Sequence, residues 1–386
     1  MTYTLLRSSV LFSGSWPNPY GAPATAILSD GTYLVASRVD DALERVRLWH
    51  LAADLSVLGS TDIVLGASDS AAPYLVATGM HAVLITRVGW SPKTFFTYLI
   101  DVTGSTPSVG SALPISTSNV PTYDYGPVLH VYDAVTNRIT LLSTSMFGTT
   151  SLMLQVFDSV TGALLGEVKA SGSGQYPTGL YMDPADHTKF AGYDETHHRL
   201  GFTVALDGLS CSFDGISAMA GIPTSGIYPG AAGSPYIAGG PGMIAELTSG
   251  VNPVNYYAAD GTVPASAAGV GGEFVNLFGP SVTLGDNLIA YAEMSNGTWF
   301  EGRLFAVDQS VVPPTMAQLS LPYPAAGFSY VFDIALMAVD QITGIILIGA
   351  SIQDSGLVSL ILWTVQGPAL LPNLTGQLLD DRVRFT

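Results

Sequence analysis

The chain of 386 residues carries 13 Lys and Arg against 30 Asp and Glu, a formal net charge of −17 at pH 7. Binding to nucleic acid or to an anionic membrane needs clustered basic side chains, so this balance counts against both partners. Charged residues are only 11% of the chain and hydrophobic residues 48%, with 42 Gly and 24 Pro, which favours strands buried between neighbouring sheets over disorder.

The N-terminal segment predicts neither an export signal nor membrane insertion. Its apolar run is only Val10–Phe12, whereas a secretory signal needs roughly 7–15 apolar residues. The most apolar stretch of the chain, residues 328–350, is interrupted by Asp333 and Asp340, so no membrane span is expected. The single cysteine, Cys211, lies in a segment that alternates as a strand does, which predicts a small buried residue rather than a reactive thiol.

In chain order, the first predicted element is a strand at residues 2–12, and a connection over residues 13–23 follows it. One sequence pattern then recurs along the chain: a run of apolar residues, a tight turn and a second apolar strand. In its clearest copies an Asp stands four residues before a residue that tolerates positive φ, which predicts a β-hairpin. These pairs are Asp133 with Asn137, Asp194 with His198, and Asp340 with Gly344.

Seven copies of this hairpin are predicted. Their second strands begin near Tyr33, Ala82, Arg138, Arg199, Met243, Leu288 and Ile345. The starts lie about 44–61 residues apart, close to the 40–50 residues of a propeller blade. A second hairpin, a third strand and a weaker outer strand follow each copy, so the repeating unit has four antiparallel strands.

In repeat length and turn chemistry the chain resembles the seven-bladed β-propeller proteins, and the resemblance covers nearly all of it. It implies an all-β fold, a seven-bladed β-propeller of four-stranded antiparallel blades. No Trp-Asp dipeptide ends the repeats and no Gly-Gly pair recurs in them, so the signatures of the WD and kelch repeats are missing. The resemblance therefore concerns the architecture and no characterised family.

The repeat predicts one domain, residues 1–365, and a C-terminal extension at residues 366–386. The strand at residues 2–12 is expected to close the last blade as its outer strand, which would remove a free sheet edge. The expected blades lie near residues 24–66, 72–116, 127–171, 186–221, 234–272, 280–321 and 330–365.

Two segments rich in acids and histidines, residues 183–187 and 194–198, are the strongest candidates for metal binding. Imidazole and carboxylate groups together suit Zn²⁺, Mn²⁺ or Ni²⁺. The candidate ligands are Asp194, His197 and His198. Residues 194–199 also align with residues 133–138, which contain no histidine, so a solvated hairpin is the favoured interpretation. No metal and no cofactor are expected.

The sequence does not favour an enzyme. Sialidase-type propellers need an arginine cluster for the substrate carboxylate, and the arginines of this chain are scattered over all repeats. A propeller glycosidase needs two carboxylates at one channel mouth. The acids predicted in the connections between blades are Asp69, Asp124, Asp183 and Glu273. Hydrolysis would require two of these acids to converge at the channel mouth, and a propeller glycosidase or other hydrolase is kept as the third alternative.

Aromatic residues of the inter-blade connections predict an interaction face. Aromatic rings stack on sugars and anchor protein interfaces, although packing between blades is the competing interpretation. The predicted interaction residues are Trp16, Tyr20, Tyr74, Tyr123, Tyr125, Tyr176, Tyr228, Tyr236 and Phe278, with Tyr181, Tyr323 and Tyr330 in similar positions.

The composition, poor in Lys and rich in Ser, Thr, Gly and Tyr, is typical of an extracellular protein, although no export signal is predicted. Virion proteins face the outside but are made in the host cytoplasm. The sequence therefore favours a non-enzymatic structural protein of a virion, such as a phage tail or its adsorption apparatus, whose propeller binds other protein subunits of an assembly. The alternative is a lectin-type propeller, extracellular or receptor-binding, that binds a surface glycan.

Overall fold

Short antiparallel sheets follow one another along the chain in the computed structural model, and they stand in a ring as a β-propeller. None of the described residues forms a helix, so they include no helix long and apolar enough to cross a membrane. The structure describes residues 2–15, 20–39, 45–65, 73–88, 94–115, 129–145, 151–174, 177–183, 185–194, 198–218, 242–246, 254–258, 264–267, 274–277, 282–285, 287–295, 300–323, 330–334, 337–354 and 357–368.

The sheets are numbered here in the order in which their innermost strands occur along the chain. Strand β1 (Thr4–Ser15) comes first and belongs to the last sheet. Sheet 1 contains β2 (Tyr20–Ile27), β3 (Tyr33–Val39), β4 (Arg45–Leu51) and β5 (Val57–Val64). Sheet 2 contains β6 (Tyr74–Ala77), β7 (His81–Val88), β8 (Thr94–Asp101), β9 (Ser108–Val109) and β10 (Leu113–Ile115). Sheet 3 contains β11 (Leu129–Asp133), β12 (Arg138–Ser145), β13 (Ser151–Asp158) and β14 (Leu164–Ala170).

The second half of the chain repeats the same antiparallel order. Sheet 4 contains β15 (Pro177–Met182), β16 (Lys189–Asp194), β17 (His198–Val204) and β18 (Cys211–Ala218), and sheet 5 contains β19 (Gly242–Glu246), β20 (Val254–Ala258) and β21 (Ala265–Ala267). Sheet 6 contains β22 (Phe274–Leu277), β23 (Val282–Leu284), β24 (Asn287–Ser295), β25 (Phe300–Asp308) and β26 (Thr315–Leu321). Sheet 7 contains β27 (Tyr330–Ile334), β28 (Ala338–Val339), β29 (Ile345–Asp354) and β30 (Leu357–Gln366), together with β1.

The propeller class is confirmed, but the predicted count of seven four-stranded blades is not. Among the described residues, six sheets reach four or more strands, and sheet 5 has three. Sheet 5 consists of β19, β20 and β21, and residues 219–241, which precede it, lie outside the described residues. The described chain therefore completes six blades.

Strand β1 closes the ring, as predicted. It pairs antiparallel with β30 from Thr4 opposite Gln366 to Ser15 opposite Leu357, so sheet 7 has the order β1-β30-β29-β27. The observed strand runs past the predicted end at Phe12, and the hydroxyls of Ser13 and Ser359 lie 2.7 Å apart across the pair. The first and last strands of the described chain are thus hydrogen-bonded neighbours, which covers the edge of β30.

Deletion of residues 2–12 is expected to produce soluble aggregates, because it exposes the backbone edge of β30, a strand buried from Val358 to Val365. Light scattering would then report a larger mass than for the full-length chain. The substitution Ser8→Ala, at an exposed position of β1, is the control and should leave the mass unchanged. A deletion variant with the mass of the full-length chain would contradict this role of β1.

Strands in the middle of a sheet are buried on both faces because each sheet packs between two others. The strands β3 and β13 are buried along almost their whole length, whereas half of the residues of the outer strand β5 are exposed. Apolar side chains of neighbouring sheets interlock, such as Val35 with Leu347 and Leu129 with Phe202 within shared clusters. This arrangement explains the low content of charged residues.

The innermost strands of consecutive sheets lie side by side, and one polar contact joins two of them. The Tyr74 hydroxyl of β6 lies 2.5 Å from Nδ1 of His130 in β11, and the two rings meet edge to face. Burial lowers the pKa of His130 to about 4, so the imidazole is neutral near pH 7. The neutral ring accepts the Tyr74 proton, which joins sheets 2 and 3 beside the ring centre.

Acidification is expected to weaken the fold through His130. Its pKa is about 4 when folded and about 6.5 when unfolded, so the unfolded chain binds the proton more tightly. This stabilisation is complete above pH ~6.5 and is lost between pH ~6.5 and ~4, in total about 3 kcal/mol. Urea unfolding at several pH values would show this slope in the wild type. The variant His130→Gln should have a flatter profile, and an identical profile would exclude the assignment.

Antiparallel order places alternate turns at opposite ends of every sheet. The turns that join the first to the second strand, and the third to the fourth, lie at one end, which we call the hairpin face. Hydrogen bonds between consecutive sheets connect equivalent turns there: Ser29 N–H donates to Gly79 O at 3.2 Å, and Gly285 N–H to the side chain of Gln341 at 3.0 Å. The hairpin face is therefore a continuous surface across several sheets.

The predicted alignment of sheet 4 is wrong. The hairpin at Asp194 joins β16 to β17, the second and third strands, whereas the hairpin at Asp133 joins the first and second strands of sheet 3. The innermost strand of sheet 4 starts at Pro177 instead of near residue 186, and the turn after it carries Asp183 and Asp186. Asp194 consequently lies at the end opposite the hairpin face.

Candidate interaction surface

Most described turns of the hairpin face are built on one chemical device. The first turns of sheets 2 and 6 use Gly79 and Gly285 with positive φ. In the other described turns of this face an Asp side chain accepts a hydrogen bond of 2.9–3.0 Å from the backbone N–H two residues later, which mimics a backbone turn. The carboxylates are Asp30, Asp54, Asp101, Asp133, Asp158, Asp183, Asp186, Asp207, Asp308 and Asp340. The recurring Asp of the sequence is thus a turn former that also concentrates negative charge on one face.

Positive φ angles follow the prediction at two of the three clearest copies. Asn137 has φ 54° and Gly344 has φ 74°, each four residues after its Asp. His198 does not share this conformation, because it is already the first residue of β17. The local rule therefore holds at these two hairpins between first and second strands and fails for the hairpin that was misaligned.

The turn hydrogen bonds keep several of these carboxylates ionised. Hydrogen bonds from the hydroxyl and N–H groups of Ser56 and of Thr188 lower the pKa of Asp54 and Asp186, respectively. The backbone N–H and the hydroxyl of Thr103 lower the pKa of Asp101 in the same way. Near neutral pH this face is therefore an array of charged carboxylates.

Large apolar side chains project from three of these turns in sheets 3 and 4. Val135 is 76% exposed, Val160 65%, Leu206 63% and Leu209 65%. We call these four residues the apolar patch. Apolar side chains at turn tips stabilise no core, and a contiguous exposed group of them is typical of an interaction site.

Hydrogen bonds bring the three turns of the apolar patch together. Ser159 N–H donates to Asn137 O at 3.0 Å, which joins the two turns of sheet 3. Arg138 crosses to sheet 4, where its guanidinium donates to Ala205 O at the start of the turn that carries Leu206 and Leu209. The patch therefore spans two sheets that are directly bonded to each other.

Two glycines let the sheet 4 turn lie close against sheet 3. Gly208 has φ +75°, and a Cβ there would come within 2.8 Å of Leu165 and 3.2 Å of Val156. A Cβ on Gly166 would lie 2.6 Å from Gly208 O and 3.4 Å from Leu209 O. This close packing holds the turn rigidly while Leu206 and Leu209 remain accessible to a partner.

A buried charged group lies directly beneath the patch. Asp133 and Arg138 are both nearly inaccessible and approach to 3.8 Å, and His187 Nδ1 of sheet 4 lies 3.0 Å from the other oxygen of Asp133. Burial raises the pKa of Asp133, but Thr136 and His187 lower it by more, so that the net pKa lies below its usual value. This group couples the two sheets electrostatically.

The two segments of the predicted metal candidate lie at opposite ends of the strand β16, and the described candidate ligands Asp194 and His198 lie together. Asp183, Asp186 and His187 lie on the hairpin face, while Asp194 and His198 lie at the opposite end of the strand. Asp194 is buried and accepts the N–H groups of His198 and Gly174, and His198 Nδ1 lies 3.3 Å from its carboxylate. His197 lies outside the described residues. The segment 183–187 is therefore separate from the candidate ligands Asp194 and His198.

Most of the predicted aromatic interaction face lies outside the described residues. Trp16, Tyr123, Tyr125, Tyr176, Tyr228, Tyr236 and Phe278 are among these, and Tyr20, Tyr181 and Tyr330 are described only as backbone in strands. Tyr74 is 7% exposed and bonded to His130, and Tyr323 packs at 5.9 Å from the ring of Trp363. The two described rings thus pack between sheets, as in the competing interpretation.

Of the four acids proposed for the connections, only Asp183 lies in the described part of the chain. It sits in a turn of the hairpin face and not in a connection between blades. Asp69, Asp124 and Glu273 lie outside the described residues. The position of Asp183 is a correction that follows from the shifted start of sheet 4.

Sheet 4 also borders a groove of about 460 Å³ on the side away from sheet 3. Lys189 Nζ donates to Thr203 Oγ1 at 2.6 Å, and that hydroxyl donates to Asp214 at 2.6 Å. Lys189 Nζ also lies 3.6 Å from Asp214 Oδ2, so the two charges pair both directly and through Thr203. The groove is lined by Asp183, Lys189, Phe190, Ala191, Arg199, Gly201, Phe202, Asp214, Gly215, Ile216 and Ser217.

No family model and no curated protein matches the chain. Among solved structures it is similar to a protein of unknown function from Dyadobacter fermentans DSM 18053, with 9% identity and a TM-score of 0.49 over 95% of this chain and 99% of that one. It is also similar to the Dos1 propeller, with 10% identity and a TM-score of 0.44 over 89% and 78% of the two chains. These similarities give no information on function. The proposed function rests on the residues of this chain.

Proposed function

We propose that the protein is a non-enzymatic interaction platform that binds another protein at the apolar patch. The observation that carries the proposal is the exposure of Val135, Val160, Leu206 and Leu209 on turns that are packed rigidly against each other. Rigid apolar anchors lose little conformational entropy on binding, so their burial is converted efficiently into affinity.

The free energy gained by burying these four side chains determines how tightly the patch can bind a partner. Full burial of an exposed Val or Leu stabilises by about 1.5–3 kcal/mol, and these side chains are already partly covered. Four of them therefore contribute about 4–8 kcal/mol, which is comparable with the cost of association. Apolar burial alone gives a weak complex, and further polar contacts around the patch are needed for stable binding.

A site-specific photo-crosslinker tests the platform directly. With the reactive side chain at Leu206 or Leu209, we expect a discrete crosslinked species in the native host of the protein. The same side chain at Val57 or Leu58, exposed apolar positions on the outer strand of sheet 1, is the matched control and should give none. Equal crosslinking from both places, or none from either, would overturn the proposal.

The identity of the larger assembly stays a prediction from composition. A structural protein of a virion is the setting that the composition favours, and a lectin-type propeller that binds a surface glycan is the alternative. The crosslinked species separates them, because a glycan receptor would leave no protein adduct at the apolar patch.

A further inference from the structure

We infer that the partner of the apolar patch is a protein segment in which apolar side chains are flanked by Lys or Arg. The inference rests on the proposed function and names the partner's chemistry. It follows from the charges and hydrogen bonds of the residues that surround the patch.

Carboxylates belong to the same turns as the apolar side chains. Asp158 precedes Val160, and Asp207 stands between Leu206 and Leu209. Asp186 lies in the first turn of sheet 4, on the same face. A partner that covers the apolar side chains must therefore also approach these carboxylates.

Each of these carboxylates keeps one oxygen outside its turn. The N–H groups of Val160 and Thr161 and the hydroxyl of Thr161 all donate to Oδ1 of Asp158. Leu209 N–H donates to Oδ1 of Asp207, and Thr188 donates to Oδ1 of Asp186. The turn fixes each carboxylate through Oδ1, and Oδ2 is the oxygen that an ammonium or guanidinium of a partner would reach.

The positive charges near the patch are already engaged within the protein. Arg138 is 3% exposed and bonded to Thr136 and to the backbone of the sheet 4 turn. His187 faces Asp133. Arg138 acts electrostatically on Asp207, and His187 and Lys189 act on Asp186, so part of the surface charge is offset. Asp158, Asp183, Asp186 and Asp207 together exceed these positive groups, one of which, Lys189, also pairs with Asp214, so the rim of the patch keeps a net negative charge.

This charge selects among possible occupants. A second copy of the chain would bring the same carboxylate-rich face, with a net charge of −17, against this one. Like charges brought together during docking cost several kcal/mol, and nucleic acid or an anionic membrane is disfavoured in the same way. A basic partner gains from each carboxylate contact and associates faster, especially at low salt.

Three synthetic amphipathic peptides of equal length test the inference by fluorescence anisotropy on the full chain. One alternates a Leu face with Lys, the second replaces every Lys by Glu, and the third replaces every Leu by Ser. We expect the Leu/Lys peptide to bind at least about 10-fold more tightly than the other two. Its affinity should fall in about 0.3 M salt, where the Debye length is roughly 5 Å.

Two variants separate charge from apolar contact. Asp158→Asn with Asp207→Asn keeps the side-chain oxygen that accepts the turn N–H but removes the charge, so the fold should persist while Leu/Lys binding weakens about 5–10-fold. Leu206→Ser with Leu209→Ser should abolish that binding. Val57→Ser with Leu58→Ser, away from the patch, is the control and should bind as the wild type does.

The outcomes distinguish this inference from the proposed function. Equal affinity for the Leu/Lys and Leu/Glu peptides, lost in the Leu206/Leu209 variant, would overturn the basic partner and leave the platform standing. Unchanged binding in the Leu206/Leu209 variant would overturn the platform at this surface. Equal binding of the Ser/Lys peptide, or no binding of any peptide, would overturn the inference.

Discussion

Replacement of Trp363 by alanine is expected to lower the free energy of unfolding by about 3–5 kcal/mol. The side chain is fully buried in β30 and packs between sheets 6 and 7. Its indole N–H donates to Pro322 O at 2.9 Å, and its ring lies 6.2 Å from Tyr291 and 5.9 Å from Tyr323. Loss of the ring therefore leaves a cavity beside the strand that pairs with β1.

Urea unfolding followed by circular dichroism measures this effect without relying on tryptophan emission. The matched variant Trp363→Phe keeps most of the volume and loses the indole hydrogen bond, so we expect a smaller loss of about 1–2 kcal/mol. A Trp363→Ala variant that loses less than about 1 kcal/mol would show that sheets 6 and 7 close without this side chain.

Replacement of Arg138 by alanine is expected to lower the free energy of unfolding by about 3–5 kcal/mol at pH 7, because it leaves the buried Asp133 carboxylate without the guanidinium. Arg138 also donates to Thr136 and to Ala205 O, so the contact between sheets 3 and 4 weakens as well. The apolar patch loses its support, and the variant should bind the Leu/Lys peptide less tightly even where it remains folded.

The effect of Arg138→Ala should depend on pH in a defined direction. In the wild type the pKa of Asp133 is lower in the folded state than in the unfolded chain, so its contribution is complete above pH ~4 and is lost as the pH falls through the folded value. Without the guanidinium the folded pKa rises, and the variant is penalised most where the carboxylate must be charged. The difference between variant and wild type should therefore shrink from pH 7 to pH 4.

Urea unfolding at both pH values tests this, and the double variant Asp133→Asn with Arg138→Met is the control. It removes both charges and should be more stable at pH 7 than Arg138→Ala. A pH-independent loss in Arg138→Ala, equal to that of the double variant, would indicate lost packing alone and contradict the electrostatic role of the pair.

The hairpin chemistry was predictable because it is local. An Asp that caps the N–H two residues later, and a residue with positive φ two residues after that, can be recognised within five consecutive positions, as at Asp133–Asn137 and Asp340–Gly344. The same rule also produced the error in sheet 4. Asp194 and His198 form a similar turn between the second and third strands of sheet 4. The turn between its first and second strands instead carries two Asp that each accept a backbone N–H, Asp183 and Asp186.

The candidate surface could not be predicted in this way. Val135, Val160, Leu206 and Leu209 are apolar residues in turns, which no sequence pattern distinguishes from the buried Leu55 in the equivalent turn of sheet 1. The charges of Asp133 and Arg138 are also ordinary in sequence, and only their burial gives them a role in joining two sheets. The predicted aromatic face, in contrast, drew on residues of the connections, of which the described ones pack between sheets.

The sequence by itself determined the all-β class, the propeller repeat and the closure by the N-terminal strand, because turn formers and alternating apolar residues act over short distances. Tertiary structure decided which turns face the same side, which apolar residues remain exposed and which charges are buried. These properties depend on how neighbouring sheets stack and on glycines such as Gly166 and Gly208 that permit close approach. Contacts between residues tens of positions apart are set by that stacking, and no local pattern encodes them.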